Sequence, residues 1–291
     1  MSIALAPTGT GDPTFAVAFG GGGARGLAHI HVIETLNELG IVPVAIAGSS
    51  IGAIMGAAMA SGMSGAEIAD YARSILCRRR AVASRMWSAR PGSLAEIREG
   101  GLHITQFNVE RLLKAFLPPS IPGDFAELSI PLKVTATDYY GHCVSVLEEG
   151  DLASALAASA AIPAVFRPVR RGGRLLIDGG IYNPVPFDLL RDTADIVIAV
   201  DVVGAPEEAD ADRQPTSVDL MFGATQLMMQ SIIAARMVQY RPDILLRPAV
   251  SRFRVLDFLK IEQILSETTA VKDELKRAVA AAVDTRRAFS A

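Results

Sequence analysis

Val44-Ala45-Ile46-Ala47-Gly48-Ser49-Ser50-Ile51-Gly52-Ala53-Ile54-Met55 decides the fold. The apolar run at its start predicts a short buried strand, and the small residues at its end predict a close-packed helix. Between them Gly48-Ser49-Ser50-Ile51-Gly52 spells G-x-S-x-G. A serine at the apex of a strand-to-helix turn sits on a strained backbone, and its hydroxyl projects beyond the sheet edge. The glycines on either side leave room for the neighbouring strand and helix. The helix aims its unpaired N–H groups at the serine, where they favour negative charge. Ser50 is therefore the candidate nucleophile. The same pattern also arises by chance in small-residue turns, so the rest of the chain must supply its partners.

Upstream, residues 14–19 (Thr-Phe-Ala-Val-Ala-Phe) have strand length and end in four glycines, Gly20 to Gly23, then Ala24-Arg25-Gly26. Leu27, Ile30, Ile33, Leu36 and Leu39 follow at helical spacing, and Gly40 stops the helix. Gly21-x-Gly23-x-x-Gly26 matches a dinucleotide-binding fingerprint, which needs an acidic residue about 20 positions further on to hold the ribose. Residues 40–66 contain no Asp or Glu, and the lysine of a phosphate-binding loop is also missing. The alternative is an oxyanion hole, in which glycine N–H groups converge on a developing negative oxygen. Arg25 either braces that loop or is an ordinary arginine at a helix start.

A serine hydroxyl needs a base. In the common hydrolase order the acid and then a histidine follow the serine. The four histidines are His29, His31, His103 and His142, so none follows the later acid candidates. That leaves Asp178, at the end of a predicted strand in Asp178-Gly179-Gly180. An aspartate can act as base when burial raises its proton affinity and it lies within hydrogen-bond reach of the hydroxyl. Read alone, Asp-Gly-Gly is also a plain turn.

The chain has 291 residues, half of them hydrophobic, and a net charge of −3. This favours one α/β domain and gives no general affinity for nucleic acid. Strands alternating with helices predict a three-layer α/β/α arrangement on a mostly parallel central sheet. Residues 1–13 read as a flexible tail, 14–291 as a single domain, and about 74–130 as a cap or insertion beside the site. Cys77 and Cys143 have no metal-like spacing and read as buried or idle thiols in a chain free of metal and cofactor. The uncharged run 42–63 is long enough to mimic a membrane span, but the elbow in its middle marks a strand and a packed helix. Arg78, Arg79, Arg80, Arg85 and Arg90 surround Trp87, a composition suited to an anionic membrane surface or, more simply, to a solvated face. Residues 218–240 predict one long helix whose methionines, Met221, Met228, Met229 and Met237, read as core filler.

Three motifs now stand in order: Gly21-Gly22-Gly23-Ala24-Arg25-Gly26, Gly48-Ser49-Ser50-Ile51-Gly52 and Asp178-Gly179-Gly180. Together they resemble the patatin-like phospholipases, particularly the compact bacterial members. Ala24-Arg25-Gly26-Leu27-Ala28-His29 is similar to the family's first helix. Ala157-Ala158-Ser159-Ala160-Ala161-Ile162-Pro163 is similar to the segment before its acid strand. The resemblance covers about residues 14–203. It implies a Ser50–Asp178 dyad without histidine, with oxyanion N–H groups from Gly22, Gly23 and Ala24. The implied reaction is hydrolysis of a phospholipid or acylglycerol ester through an acyl-enzyme. With no Lys or Arg before Arg25 to open a secretory signal, the expected setting is cytoplasmic, with peripheral membrane contact through the arginine-rich stretch. His31 departs from the family, where a small residue is expected, and reads as a packing change. Two alternatives stay open: a catalytically silent lipid- or acyl-binding regulator, and an acyltransferase using the same dyad. The composition permits a homo-oligomer.

Overall fold

Phe15–Phe19 (β1) is apolar throughout and buried on both faces, as expected of a central parallel strand. The computed structural model describes residues 12–77, 108–207 and 214–290. β1 lies between β2 (Ala45–Ser49) and β7 (Ile196–Val200), parallel to both, and β8 (Ile244–Leu246) extends the parallel run beyond β7. On the other side β3 (Leu132–Asp138) pairs parallel with β2. The sheet then turns antiparallel: β4 (Cys143–Leu147) and β6 (Arg174–Asp178) both pair against β3, and β5 (Val169–Arg171) closes a hairpin with β6. The expected parallel sheet thus carries an antiparallel edge, because Tyr139-Tyr140-Gly141-His142 and Gly172-Gly173 make tight turns that leave no room for crossover helices.

One face of the sheet is covered by α1 (His29–Glu38), α2 (Ile51–Ala60), α3 (Gly65–Leu76), α4 (Val109–Phe116), α5 (Leu152–Ser159), α7 (Ile261–Thr268) and α8 (Ala270–Ser290). The opposite face carries a smaller cluster of Val185, Phe187 and Leu190, packed with Ile233 and Met229 of α6 (Ser217–Gln239). The result is three layers. Ser64 and Glu67 cap α3 reciprocally, as their spacing predicts. His31 is buried: Nε2 donates to the Leu265 carbonyl at 2.8 Å and Nδ1 lies 3.2 Å from Glu34, so the larger residue joins α1 to α7. The run 42–63 is β2 and α2, as expected.

Two expectations are corrected. Cys77 and Cys143 are exposed, not buried. Met221 and Met228 are not core filler: they are 46% and 59% exposed, on the outer side of α6 with Val218, Leu220, Leu227 and Val238. Only Gly223 and Ile233 of α6 are buried. Its inward side mixes Met229, Ile233 and Met237, packed on the sheet, with polar side chains: Gln226 donates to the Val203 carbonyl at 3.1 Å, Gln230 to the Gly204 carbonyl at 3.2 Å, and Arg236 pairs with Asp188 at 2.6 Å. The helix is thus apolar on its outer side as well as its inner one, and among the described residues it is the only one long and apolar enough to cross a membrane. The arginine cluster 78–90, Trp87 and most of the expected tail lie outside the described residues.

Packing is close where α2 leaves the sheet. A Cβ at Gly52 would fall on the backbone of Phe19 and Gly20, 2.6 Å from the Gly20 oxygen, whereas one at Gly123 would meet nothing. Gly52→Ala should therefore lower the melting temperature by about 5 °C or more, and Gly123→Ala by about a degree at most, measured by circular dichroism.

Candidate active site

The register of β3 brings the two candidate groups together. β4 runs along one edge of β3, pairing from Val134 to Asp138. The other edge is shared: β2 holds it from Leu132 to Thr135, and β6 holds it from Ala136 to Asp138, running the opposite way. The two strands meet end to end. Ser49 pairs with Thr135 and Asp178 with Ala136, adjacent positions on β3. Threonines of β3 fasten both ends, Thr135 Oγ1 donating to the Gly48 carbonyl at 3.2 Å and Thr137 Oγ1 to the Asp178 carbonyl at 2.9 Å.

At this junction Ser50 turns sharply, with φ 54° and ψ −124°, and caps α2. Few non-glycine residues adopt such a conformation, and it costs on the order of 1–3 kcal/mol. Gly26, Gly48 and Gly179 are close-approach positions: a Cβ there would strike the Ile51 side chain, the Ala53 backbone and the Thr135 carbonyl respectively. Ser50 Oγ donates to Asp178 Oδ2 at 2.6 Å, and the Gly180 N–H donates to Asp178 Oδ1 at 2.8 Å. Both side chains are almost wholly buried. Burial raises the Asp178 pKa to about 6, against the opposing pull of the Ser50 and Gly180 hydrogen bonds. The carboxylate is therefore a stronger base than a solvated one while still ionised at neutral pH.

The glycine loop crosses above this pair, and a Cβ on Gly21 would lie 3.3 Å from the Ser50 Cβ. Its N–H groups divide into two sets. Gly20 donates to the Val200 carbonyl, Gly21 to Pro184 and Ala24 to Val255, at 2.9, 2.9 and 2.7 Å. The N–H groups of Gly22 and Gly23 have no acceptor among the described residues. The expected donor role of Ala24 is thus corrected, because the Val255 carbonyl already holds its N–H. Gly23 has φ +60°, and a Cβ there would collide with Val255. Buried Arg25 donates from Nε to the Gly22 carbonyl at 3.1 Å, which turns the N–H of the same peptide, that of Gly23, the opposite way. Arg25 does brace the loop. Asp201 offsets part of its burial, which still lowers its pKa to about 10.

His29 supports the loop from below, its Nε2 donating to the Gly20 carbonyl at 2.8 Å. Burial drops its pKa to about 4, so it is neutral. His31 is held by Leu265 and Glu34, and His142 sits in the β3–β4 turn. No histidine among the described residues bonds to Ser50 or Asp178. No His, Cys, Asp or Glu cluster among them could hold a metal ion. One contact was not anticipated: the Ser50 N–H donates to Ser159 Oγ at 2.7 Å.

The Patatin-like phospholipase family model matches residues 17–191. The chain belongs to the patatin-like phospholipase family. An uncharacterized NTE family protein of Mycobacterium tuberculosis is 36% identical over 213 residues, covering 73% of this chain and 55% of that protein. Human patatin-like phospholipase domain-containing protein 6 is 28% identical over 295 residues, covering 89% of this chain and 20% of its own length. The chain thus spans about half the length of the first of these relatives, and less of the second. Among solved structures, VipD from Legionella pneumophila matches at 15% identity with a TM-score of 0.44, over 90% of this chain and 68% of that one. Human GIVD cytosolic phospholipase A2 matches at 11% identity and TM-score 0.44, over 94% and 60%. All three motifs of this patatin-like chain fall within the matched residues.

The sign of the Asp178 shift sets a pH dependence of stability. Its folded pKa lies above the ordinary value of about 3.9, so ionising it in place weakens the fold, and stability is lost as pH rises from about 4 to 6. Asp178→Asn should melt several degrees higher than the parent at pH 7.5 and converge with it near pH 4. Thermal melts across that range check this.

Proposed function

We propose that this patatin-like chain hydrolyses carboxylic esters of lipids, phospholipid or acylglycerol, with Ser50 as nucleophile and Asp178 as base. The 2.6 Å hydrogen bond from Ser50 Oγ to the buried Asp178 carboxylate carries this reading. Asp178 takes the hydroxyl proton as Ser50 Oγ attacks the ester carbonyl. The tetrahedral oxyanion is held by the N–H groups of Gly22 and Gly23. Collapse expels the alcohol, which takes the proton back from Asp178 and leaves an acyl-serine. Water, deprotonated by the same carboxylate, attacks the acyl carbonyl; a second collapse frees the fatty acid and restores Ser50. Acyl transfer would differ only in that an alcohol replaces the water. A silent lipid-binding regulator would not need both an activated serine and a poised base.

Hydrolysis of p-nitrophenyl esters of graded chain length tests the reading. Ser50→Ala and Asp178→Asn should each lose about 10³-fold or more in kcat while remaining folded. Wild-type turnover retained in Ser50→Ala overturns it. In the parent, kcat/KM should fall below a pKa of about 6, where Asp178 becomes protonated.

We infer further that a lipid surface delivers the substrate along α6. Residues 220–235 carry no charge, and the outer face of the helix is apolar. The inward side of the same helix adjoins the acid loop: a Cβ on Gly180 would lie 2.9 Å from the Met229 methyl. Paired substitution Leu227→Glu and Met228→Glu should cut hydrolysis of vesicle lipid by about tenfold or more and leave soluble short-chain ester turnover unchanged. Equal loss on both substrates contradicts this, as does a shift from dimer to monomer in sedimentation with vesicle activity retained.

A further inference from the structure

The mechanism above leaves unexplained what holds Ser50 and Asp178 at hydrogen-bonding distance. A family of hydrolases with histidine spans nucleophile and acid with an imidazole; here the two side chains must meet directly. Each sits at the end of its own strand, and an end-to-end junction has no ladder hydrogen bonds between the two strands. The β3 register sets their positions along the sheet but not the small rotation that aims one oxygen at the other.

A single three-residue segment contacts both. Ser159, the last residue of α5, accepts the Ser50 N–H on Oγ at 2.7 Å. Two residues on, the Ala161 carbonyl accepts the Asp178 N–H at 3.0 Å. Ser159 is wholly buried and Ala161 nearly so. The segment is itself rigid. The Ala160 N–H closes the helix on Leu156 at 3.0 Å, the Ile162 N–H folds back on Ala160 at 2.8 Å, and Pro163 follows. The helix behind it is anchored by Leu152, Ala155, Leu156, Ala157 and Ala158, all fully buried.

We propose that residues 159–161 form a bracket that sets the nucleophile-to-base distance, and that Ser159 is a positioning residue for Ser50. The inference rests on the Ser50–Asp178 reading. Its physics concerns the strained elbow. At φ 54° the Ser50 N–H points out of the α2 ladder into the protein interior, where water cannot satisfy it. Ser159 Oγ supplies the missing acceptor and so holds the peptide in that orientation. Without it, the buried donor gains by turning toward another partner, and Ser50 Oγ turns with it. The bond has a second effect. It removes the nucleophile's own N–H from the set of oxyanion donors and leaves that task to the loop glycines.

The test compares Ser159→Ala and Ser159→Cys with the parent on a soluble p-nitrophenyl ester. Turnover is counted per site titrated with a fluorophosphonate, beside Ser50→Ala. Misaiming the hydroxyl should lower kcat about 30- to 100-fold in Ser159→Ala with KM within about threefold, because the binding pocket is untouched. Cysteine, a weak acceptor of similar size, should fall between alanine and the parent. The acid limb of the rate profile supplies a readout that lost stability alone would not move. The groups facing Asp178 that set its proton affinity are the Ser50 hydroxyl and the Gly180 N–H; no charged side chain among the described residues contributes. Loosening the Ser50 bond removes one stabiliser of the carboxylate, so the limb should move above its parent value near 6.

Ser159→Ala with kcat within threefold of the parent and an unmoved limb overturns the bracket, even if its melting temperature drops. If the alanine variant does not fold, the cysteine variant decides on the same two readouts. Full turnover in Ser50→Ala overturns instead the dyad on which the bracket rests.

Discussion

Two strands that end against each other on one edge of a third are the constraint from which this site follows. β2 runs up β3 as far as Thr135, and β6 runs down it as far as Ala136. Neither can continue, so both chains must leave the sheet at the same point. One leaves through Ser50 into α2, and the other through Asp178 into a glycine turn. Whatever side chains stand at those two exits are forced together. The glycines around them follow from the same crowding: Gly48 and Gly52 lie against α2 and β1, and Gly179 against β3.

Burial at that junction has an electrostatic consequence. Among the described residues Asp178 has no cationic partner, and its carboxylate rests on one hydroxyl and one amide donor. A carboxylate so placed is costly to ionise, and that cost makes it more basic than a solvated one. The fold gives up stability to hold it. The glycine loop is arranged with similar economy. Its outer N–H groups bond to Val200, Pro184 and Val255, which fixes the loop, and its inner two meet no acceptor among the described residues. A neutral His29 and a buried Arg25 each grip one loop carbonyl, so the peptide planes cannot turn their N–H groups away.

The parts legible in the sequence were those governed by local rules. Gly48-Ser49-Ser50-Ile51-Gly52, the strand–glycine loop–helix at 14–40 and the capping pair Ser64 and Glu67 each carry their geometry in their own spacing. The order of histidines and acids pointed away from a histidine base. Unreadable parts depend on contacts between distant residues. Nothing in Ala157-Ala158-Ser159-Ala160-Ala161 marks Ser159 as the acceptor of an N–H 109 positions away. The short β5 and the antiparallel pairing of β6 depend on a Gly-Gly turn that also reads as a loop. The composition of α6 suits a core on every side, but only Met229, Ile233 and Met237 pack inward, beside the polar contacts of Gln226, Gln230 and Arg236. Ala24 looked equivalent to Gly22 and Gly23, and only the position of Val255 separates them.

The central claim is that Ser50 is the activated nucleophile and that Asp178 activates it. The most direct measurement is the rate of covalent modification by a fluorophosphonate between pH 4 and 9, with the modified residue mapped by peptide mass spectrometry. One adduct on Ser50 is predicted, forming at a rate that rises through about pH 6 to a plateau and is abolished in Asp178→Asn. An adduct on neighbouring Ser49, or a Ser50 adduct formed equally fast in Asp178→Asn, would contradict the account.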